Sequence, residues 1–332
     1  MRRKYFSYMT TGFWKKLKKP ILCLAPMSNV TDAAFRRIIA KYGKPDVMWT
    51  EFVSCDGLVS AGRERLLVDL MFDKAERPIV AQIFGSKPEN FYKTALLLRE
   101  LGFDGIDINM GCPDKNVEKQ EAGARLMQNP KLAQEIVKET KRGAGKLPVS
   151  IKTRIGYGKN ILDEWLPNLL ETEPAAVIIH ARTRKEMSLA PAKWETIADA
   201  VAIRDKYDSS SDKTLIIGNG DVKDIADAEE KIKATGADGA MIGRGIFGNP
   251  WLFNRKINHA AITIKEKLNV MVEHTYLFEK LLGKHKNFDI MKKHYKAYAS
   301  GFSGAKELRV RLMEKTKTAH DVENKVADFL SC

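Results

Sequence analysis

A cysteine stands where a short apolar run meets a polar turn, in Asp104-Gly105-Ile106-Asp107-Ile108-Asn109-Met110-Gly111-Cys112-Pro113. The run reads as a buried strand, with Ile106 and Ile108 at alternate positions. Gly111 and Pro113 stiffen the turn, so the Cys112 thiol sits on a fixed corner. A lone cysteine is most often a small buried hydrophobe, so its chemistry depends on what else reaches the same place. Where other apolar runs end there are Gln82, Lys152, His180 with Arg182, and the turns Asn219-Gly220-Asp221 and Gly243-Arg244-Gly245. A lysine at the end of a buried strand is seldom structural, because burying an unpaired ammonium is expensive. It can hold negative charge on a ligand. Glycine turns expose backbone N–H groups that bind phosphate, and Arg244 adds a pairing cation. His180 can donate to a phosphate or a ring, or simply pack at its strand end. A thiol in this company can transfer a proton.

These residues need a scaffold that gathers strand ends. Eight apolar runs occur, at 21–25, 47–51, 78–85, 104–108, 148–153, 176–180, 214–218 and 238–242. Each is followed by helical or polar sequence. Continuous apolar strands alternating with helices predict parallel pairing with both faces covered. Eight such units in about 240 residues is the size of a (β/α)₈ TIM barrel, whose catalytic groups converge at the carboxyl ends of the strands. A doubly wound sheet has fewer repeats and a Gly-rich fingerprint after its first strand, and neither condition holds. The turns after the seventh and eighth strands fall where such barrels bind phosphate. From about Asn254 the strands stop, and 262–282, 290–302, 304–318 and a stretch from 321 read as amphipathic helices. The expected organisation is a basic lead over 1–20, a barrel over 21–254 and a small all-helical domain over 255–332.

Composition narrows the partners. The net charge is +14 over 332 residues. Residues 1–20 hold seven Lys and Arg and no acid, residues 255–332 hold sixteen against nine, and the segment between balances at 33 against 33. A neutral body with basic ends suits a polyanion. The basic lead is expected to be a disordered tail that attracts phosphate, or only a solvated end. Four scattered cysteines without a CxxC or Cys/His cluster predict no metal centre and no disulfide framework. No stretch is long and apolar enough for a membrane span, and nothing at the start reads as a signal peptide. A cytoplasmic protein is expected. A barrel with a phosphate site, a central cation and a thiol fits an FMN enzyme in which cysteine moves a proton.

The sequence resembles the tRNA-dihydrouridine synthases. The matching segments are Leu24-Ala25-Pro26-Met27, Gln82-Ile83-Phe84-Gly85, Asp107-Ile108-Asn109-Met110-Gly111-Cys112-Pro113, Ile151-Lys152-Thr153-Arg154-Ile155-Gly156, His180-Ala181-Arg182-Thr183-Arg184, Gly218-Asn219-Gly220-Asp221 and Met241-Ile242-Gly243-Arg244-Gly245. They occur in the family's order across the barrel. Lys293-His294-Tyr295 and Gly304-Ala305-Lys306-Glu307-Leu308-Arg309 look more loosely like its helical tRNA-binding domain. The resemblance implies that NADPH reduces bound FMN, that hydride passes to C6 of a tRNA uridine, and that Cys112 protonates C5. It implies FMN contacts from Pro26, Met27, Ser28, Gln82, Lys152, His180, Asn219, Gly220, Asp221, Gly243 and Arg244. Asn109 and Arg182 would hold the base, and Lys159, Lys293 and Arg309 would contact tRNA. A monomer without metal is expected. Many relatives carry an aromatic residue near the position of Ser188, so the base-stacking partner is open. The alternatives are an FMN barrel reductase of a free pyrimidine or other small molecule, and an inactive flavoprotein that chaperones tRNA.

Overall fold

The computed structural model describes residues 11–208, 210 and 212–331. Eight strands follow in chain order: β1 Ile21–Leu24, β2 Met48–Ser54, β3 Ile79–Phe84, β4 Gly105–Met110, β5 Val149–Arg154, β6 Ala176–His180, β7 Leu215–Asn219 and β8 Gly239–Ile242. Every ladder is parallel, in the order β1-β8-β7-β6-β5-β4-β3-β2. The two ends meet at a bridge between Cys23 and Val47, where Leu24 N–H donates to the Val47 carbonyl at 3.1 Å. The sheet therefore closes into a (β/α)₈ barrel, as expected. A doubly wound sheet would leave two open edges.

Strand alternation sorts the side chains into two shells. Leu22, Leu24, Ala81, Ile83, Ile106, Ile108, Ile151 and Ile179 pack with the helical layer. Ile21, Cys23, Trp49, Val80, Ile178, Ile217 and Met241 form a separate inner cluster. Asp107 and Asn109 alternate with Ile106 and Ile108, so β4 turns its isoleucines to the helices and its polar residues to the interior.

Local signals set the helices. Helix α1, Ala33–Tyr42, starts at Asp32, whose carboxylate accepts Phe35 N–H at 2.9 Å. The helices Pro88–Glu100 and Pro130–Ala144 carry proline in the first turn, where a missing N–H costs nothing. Thr263 and Glu266 form a capping box that starts Ile264–Leu282. That helix, with Lys292–Tyr298, Ala305–Lys315 and Ala319–Leu330, surrounds a second apolar cluster that includes Met271, Phe278, Tyr295, Leu312 and Val322. Helix α1 is shared between the two cores. Its Phe35 and Ile39 belong to the barrel cluster, while Ala34 and Ile38 belong to the bundle cluster.

Two boundaries differ from the sequence reading. The helices expected over 290–302 and 304–318 are shorter, and the segment between them passes through Gly301 and Gly304 at φ +83° and +77°. The basic lead is not wholly solvated: Gly12–Lys16 forms a 3-10 turn, and Trp14 is 3% exposed against Trp49 in the inner cluster. Local charge hid this floor, because four lysines follow the two aromatic residues, Phe13 and Trp14, within five positions. Residues 1–10 of the lead lie outside the described residues.

Candidate active site at the barrel mouth

A cleft of about 310 Å³ opens among the carboxyl ends of the strands. Pro26, Met27, Gln82, Asn109, Cys112 and Lys152 line it from the β1 to β5 side. His180, Arg182, Asn219, Gly220, Asp221, Gly243 and Arg244 line the β6 to β8 side. Ser28 and Lys159 are exposed and outside this lining. Lys293 is exposed on the bundle, and Arg309 there donates through Nη1 to the Ala299 carbonyl at 2.8 Å.

The turn holding the thiol is built by its own strand. Asn109 Oδ1 accepts the backbone N–H groups of Gly111 at 3.1 Å and Cys112 at 2.9 Å. Asn109 Nδ2 donates to Gln82 Oε1 at 3.0 Å, and Gln82 Nε2 donates to Asp107 Oδ2 at 2.7 Å. Ser150 Oγ closes the chain on Asp107 Oδ1 at 2.6 Å. Burial raises the Asp107 carboxyl to about 6, opposed by its bonds to Gln82 and Ser150 and by the Lys152 charge. Burial also raises the Cys112 thiol above its ordinary value; the Asp114 charge adds to this, while Arg154 and Lys152 oppose it. The thiol therefore keeps its proton at neutral pH.

From β5 round to β8 the lining is cationic. Lys152 Nζ donates to Asn219 Oδ1 at 3.0 Å, and Asn219 Nδ2 donates to the Met241 carbonyl at 2.8 Å. Burial lowers Lys152 to about 8, with Arg154 adding to the effect. Arg182 donates to the Ala190 carbonyl at 2.5 Å, pairs with Asp221, and places Nη1 3.0 Å from His180 Nε2. Guanidinium only donates, so this contact assigns the imidazole proton to Nδ1. Burial, then the charges of Lys152, Arg154, Arg182 and Arg244, hold His180 down to about 2. Arg244 Nη2 reaches Asp221 Oδ1 at 2.8 Å. Asp221 adopts φ +49° after Gly220 at φ +122°, a turn that the glycine makes feasible.

Arg154 escaped the sequence reading as a site residue. It lines the cleft and donates to the carbonyls of Gly111, Thr183 and Met187 at 2.9, 3.0 and 2.9 Å. It thereby ties the cysteine turn to the loop after β6. Its position two residues after Lys152, on the same strand face, was the available signal. Phe52 also joins the lining, and so does Ser188.

The cleft sets the cations Lys152, Arg154, Arg182 and Arg244 against one lining carboxylate, Asp221. The desolvated cations among them, Lys152, Arg154 and Arg182, favour an anionic ligand, and the exposed Arg244 adds charge at the edge. A Cβ built on Gly243 would have only the Ala25 and Met27 side chains within 4 Å, both at 3.7 Å, so a ligand can approach this backbone closely. The donor set and the open glycine fit a phosphate-bearing mononucleotide such as FMN.

The fold and this site define a (β/α)₈-barrel enzyme with a cation-lined mouth and a largely buried thiol at its rim. An old yellow enzyme homologue from Zymomonas mobilis shares the fold, with TM-score 0.50 and 13% identity, covering 73% of this chain and 89% of that one. The sequence of residues 23–331 matches the family described as dihydrouridine synthase. A Staphylococcus aureus protein named "Probable tRNA-dihydrouridine synthase" is 41% identical over 316 residues, 94% of each chain. A Bacillus subtilis protein named "Probable tRNA-dihydrouridine synthase 2" is 39% identical over 324 residues, 97% of each chain. The chain belongs to the dihydrouridine synthase family.

Proposed function

We propose that the chain binds FMN in the mouth cleft, takes electrons from NADPH and reduces specific uridines of tRNA to 5,6-dihydrouridine. The observation that carries this reading is a thiol held protonated beside a cation-lined cleft, in a chain of this family. When bound, the flavin supplies the hydride for C6 of the uracil ring. Cys112 adds a proton at C5 from the opposite face, and its thiolate regains a proton from solvent. That role needs a group that keeps its proton until the carbanion develops, which burial of the thiol provides.

Lys152 would hold negative charge on the reduced cofactor. Gly243, Arg244 and the Asn219 to Asp221 turn would take the phosphate, while Pro26, Met27, Gln82 and His180 complete the cofactor wall. Ser28 would contribute from the adjoining turn. Asn109 and Arg182 would face the extruded base. Of the five N–H donors of Arg182, three are engaged within the protein. Their rigid placement suits base positioning.

In this reading residues 21–254 form the catalytic domain and 255–332 a helical tRNA-binding domain, with Lys159, Lys293 and Arg309 approaching the polyanion. Among the described residues no helix is long and apolar enough to cross a membrane, and no His, Cys, Asp and Glu group could hold a metal. The proposed enzyme is a cytoplasmic monomer.

The test is incubation of the FMN-loaded protein with NADPH and unmodified tRNA transcripts, followed by nucleoside mass spectrometry. Dihydrouridine at a defined position is expected; its absence, with free uracil reduced instead, would replace this reading by the small-molecule reductase. Salt separates the same two readings: tRNA affinity should fall steeply with ionic strength, whereas a neutral base should not respond.

A further inference from the structure

A charged side chain of the bundle region reaches the rim of the barrel. Lys286 lies in the connection after the Ile264–Leu282 helix, and its side chain is 11% exposed. Its Nζ is 2.5 Å from Glu51 Oε2 on β2 and 2.7 Å from Asp69 Oδ1 in the segment before β3. Glu51 is 6% exposed at its side chain and stands where the β2–β3 register shifts, between Trp49 and Phe52. Such a bulge re-aims a side chain beside an active site. The other oxygen of Glu51 accepts Asn29 N–H. Asn29 has φ +54° and sits in the turn that begins with the cleft residues Pro26 and Met27.

A second polar tie lies at the other end of α1. Glu273 on the bundle accepts from Lys41 Nζ at 2.6 Å and from Tyr42 Oη at 2.5 Å. The seam between these ties is packed rather than hydrogen-bonded: Ala34 and Ile38 of α1 lie in the bundle cluster, and the Phe35 ring stands 5.6 and 5.0 Å from the buried rings of His274 and His294. Apolar burial is non-directional and permits rocking about α1. Charge-assisted bonds at two separated points are directional and fix the angle.

We propose that Lys286, with Glu51 and Asp69, is a positioning residue that locks the helical bundle to the rim of the mouth at one angle, and thereby sets which uridine of a docked tRNA reaches Cys112. The inference rests on the tRNA reading above. A polyanion seated on the bundle is a lever whose far end must enter the cleft. A small rotation at the seam moves the presented nucleotide, and a misplacement of about 1 Å can cost on the order of 10²-fold in rate.

The test maps dihydrouridine by position in tRNA treated with full-length Lys286→Met and Lys286→Arg enzymes, alongside flavin reduction by NADPH without tRNA. For Lys286→Met the rate at the wild-type uridine should fall by up to about 10²-fold, product should spread to neighbouring uridines, and flavin reduction should be unchanged. Lys286→Arg should restore position selectivity. A wild-type rate at a single wild-type position in Lys286→Met would overturn the inference, as would a parallel loss of flavin reduction. If Lys286→Met does not fold, the Glu51→Gln/Lys286→Met double variant, which removes both buried charges, carries the same expectations. A wild-type enzyme that makes no dihydrouridine in any tRNA would remove the tRNA reading itself, an outcome distinct from unchanged selectivity in the variants.

Discussion

Asn109 Oδ1 accepts the backbone N–H of Cys112 at 2.9 Å, so the strand that carries the thiol also fixes its direction. Asn109→Ala leaves the Gly111 and Cys112 N–H groups without this acceptor and Gln82 Oε1 without its donor. Unsatisfied buried groups cost about 1–3 kcal/mol each. Dihydrouridine formation should fall by about 10²-fold, with flavin affinity nearly retained. Equilibrium flavin titration beside single-turnover product formation checks this split.

Lys152 gives the cleft a pH signature. Its folded value is lowered to about 8, so the charged form is disfavoured in the free protein. The sign follows: the cost of the buried charge is present below about 8 and is relieved as pH rises from there toward the unfolded lysine value. An anionic ligand reverses this by stabilising the ammonium, so binding should take up a proton near pH 8 to 9 and weaken as pH rises. Calorimetry of FMN binding in buffers of different ionisation enthalpy reads the uptake. Lys152→Met should abolish it.

Asp107 predicts a slope in stability. Its folded value is raised to about 6, and that of Asp32 is raised likewise, both chiefly by burial. Between the ordinary carboxyl value and about 6 the folded protein binds more protons than the unfolded chain, so stability falls as pH rises through that window. Asp107→Asn should remove its share, on the order of 2 kcal/mol, leaving the share of Asp32. Urea unfolding at pH 4.5 and pH 7 measures the difference; an unaltered slope would contradict the assignment.

Trp14 separates floor from mouth. It is 3% exposed beneath the barrel and lies within 6.0 Å of Trp49, ring to ring. Trp14→Ala should cost about 3–5 kcal/mol of stability. Thermal denaturation should show the loss, while the KM for NADPH below the melting range stays at the wild-type value.

Much of this was legible before the structure because parallel barrels announce themselves through continuous apolar strands. Asn109, Lys152 and Asn219 were placed at strand ends by that pattern alone. Four features were not legible, each for a physical reason. Asp107 was read only as part of the strand, because sequence does not say that Gln82 and Ser150 satisfy its carboxylate inside the barrel. Arg154 carried no assigned role, since its carbonyl partners come from Gly111, Thr183 and Met187 on distant loops. Trp14 was masked by neighbouring lysines, and its burial depends on the barrel having closed above it. The partners of Lys286 lie 235 and 217 residues away, a separation no local pattern can bridge.

The central claim is that Cys112 delivers the proton. The direct measurement uses Cys112→Ala loaded with FMN, following flavin reduction by NADPH and dihydrouridine formation in the same tRNA reaction. Flavin reduction should proceed at the wild-type rate, while dihydrouridine formation falls by about 10²–10⁴-fold, the range for loss of a general acid. Wild-type product formation by this variant would contradict the role of Cys112.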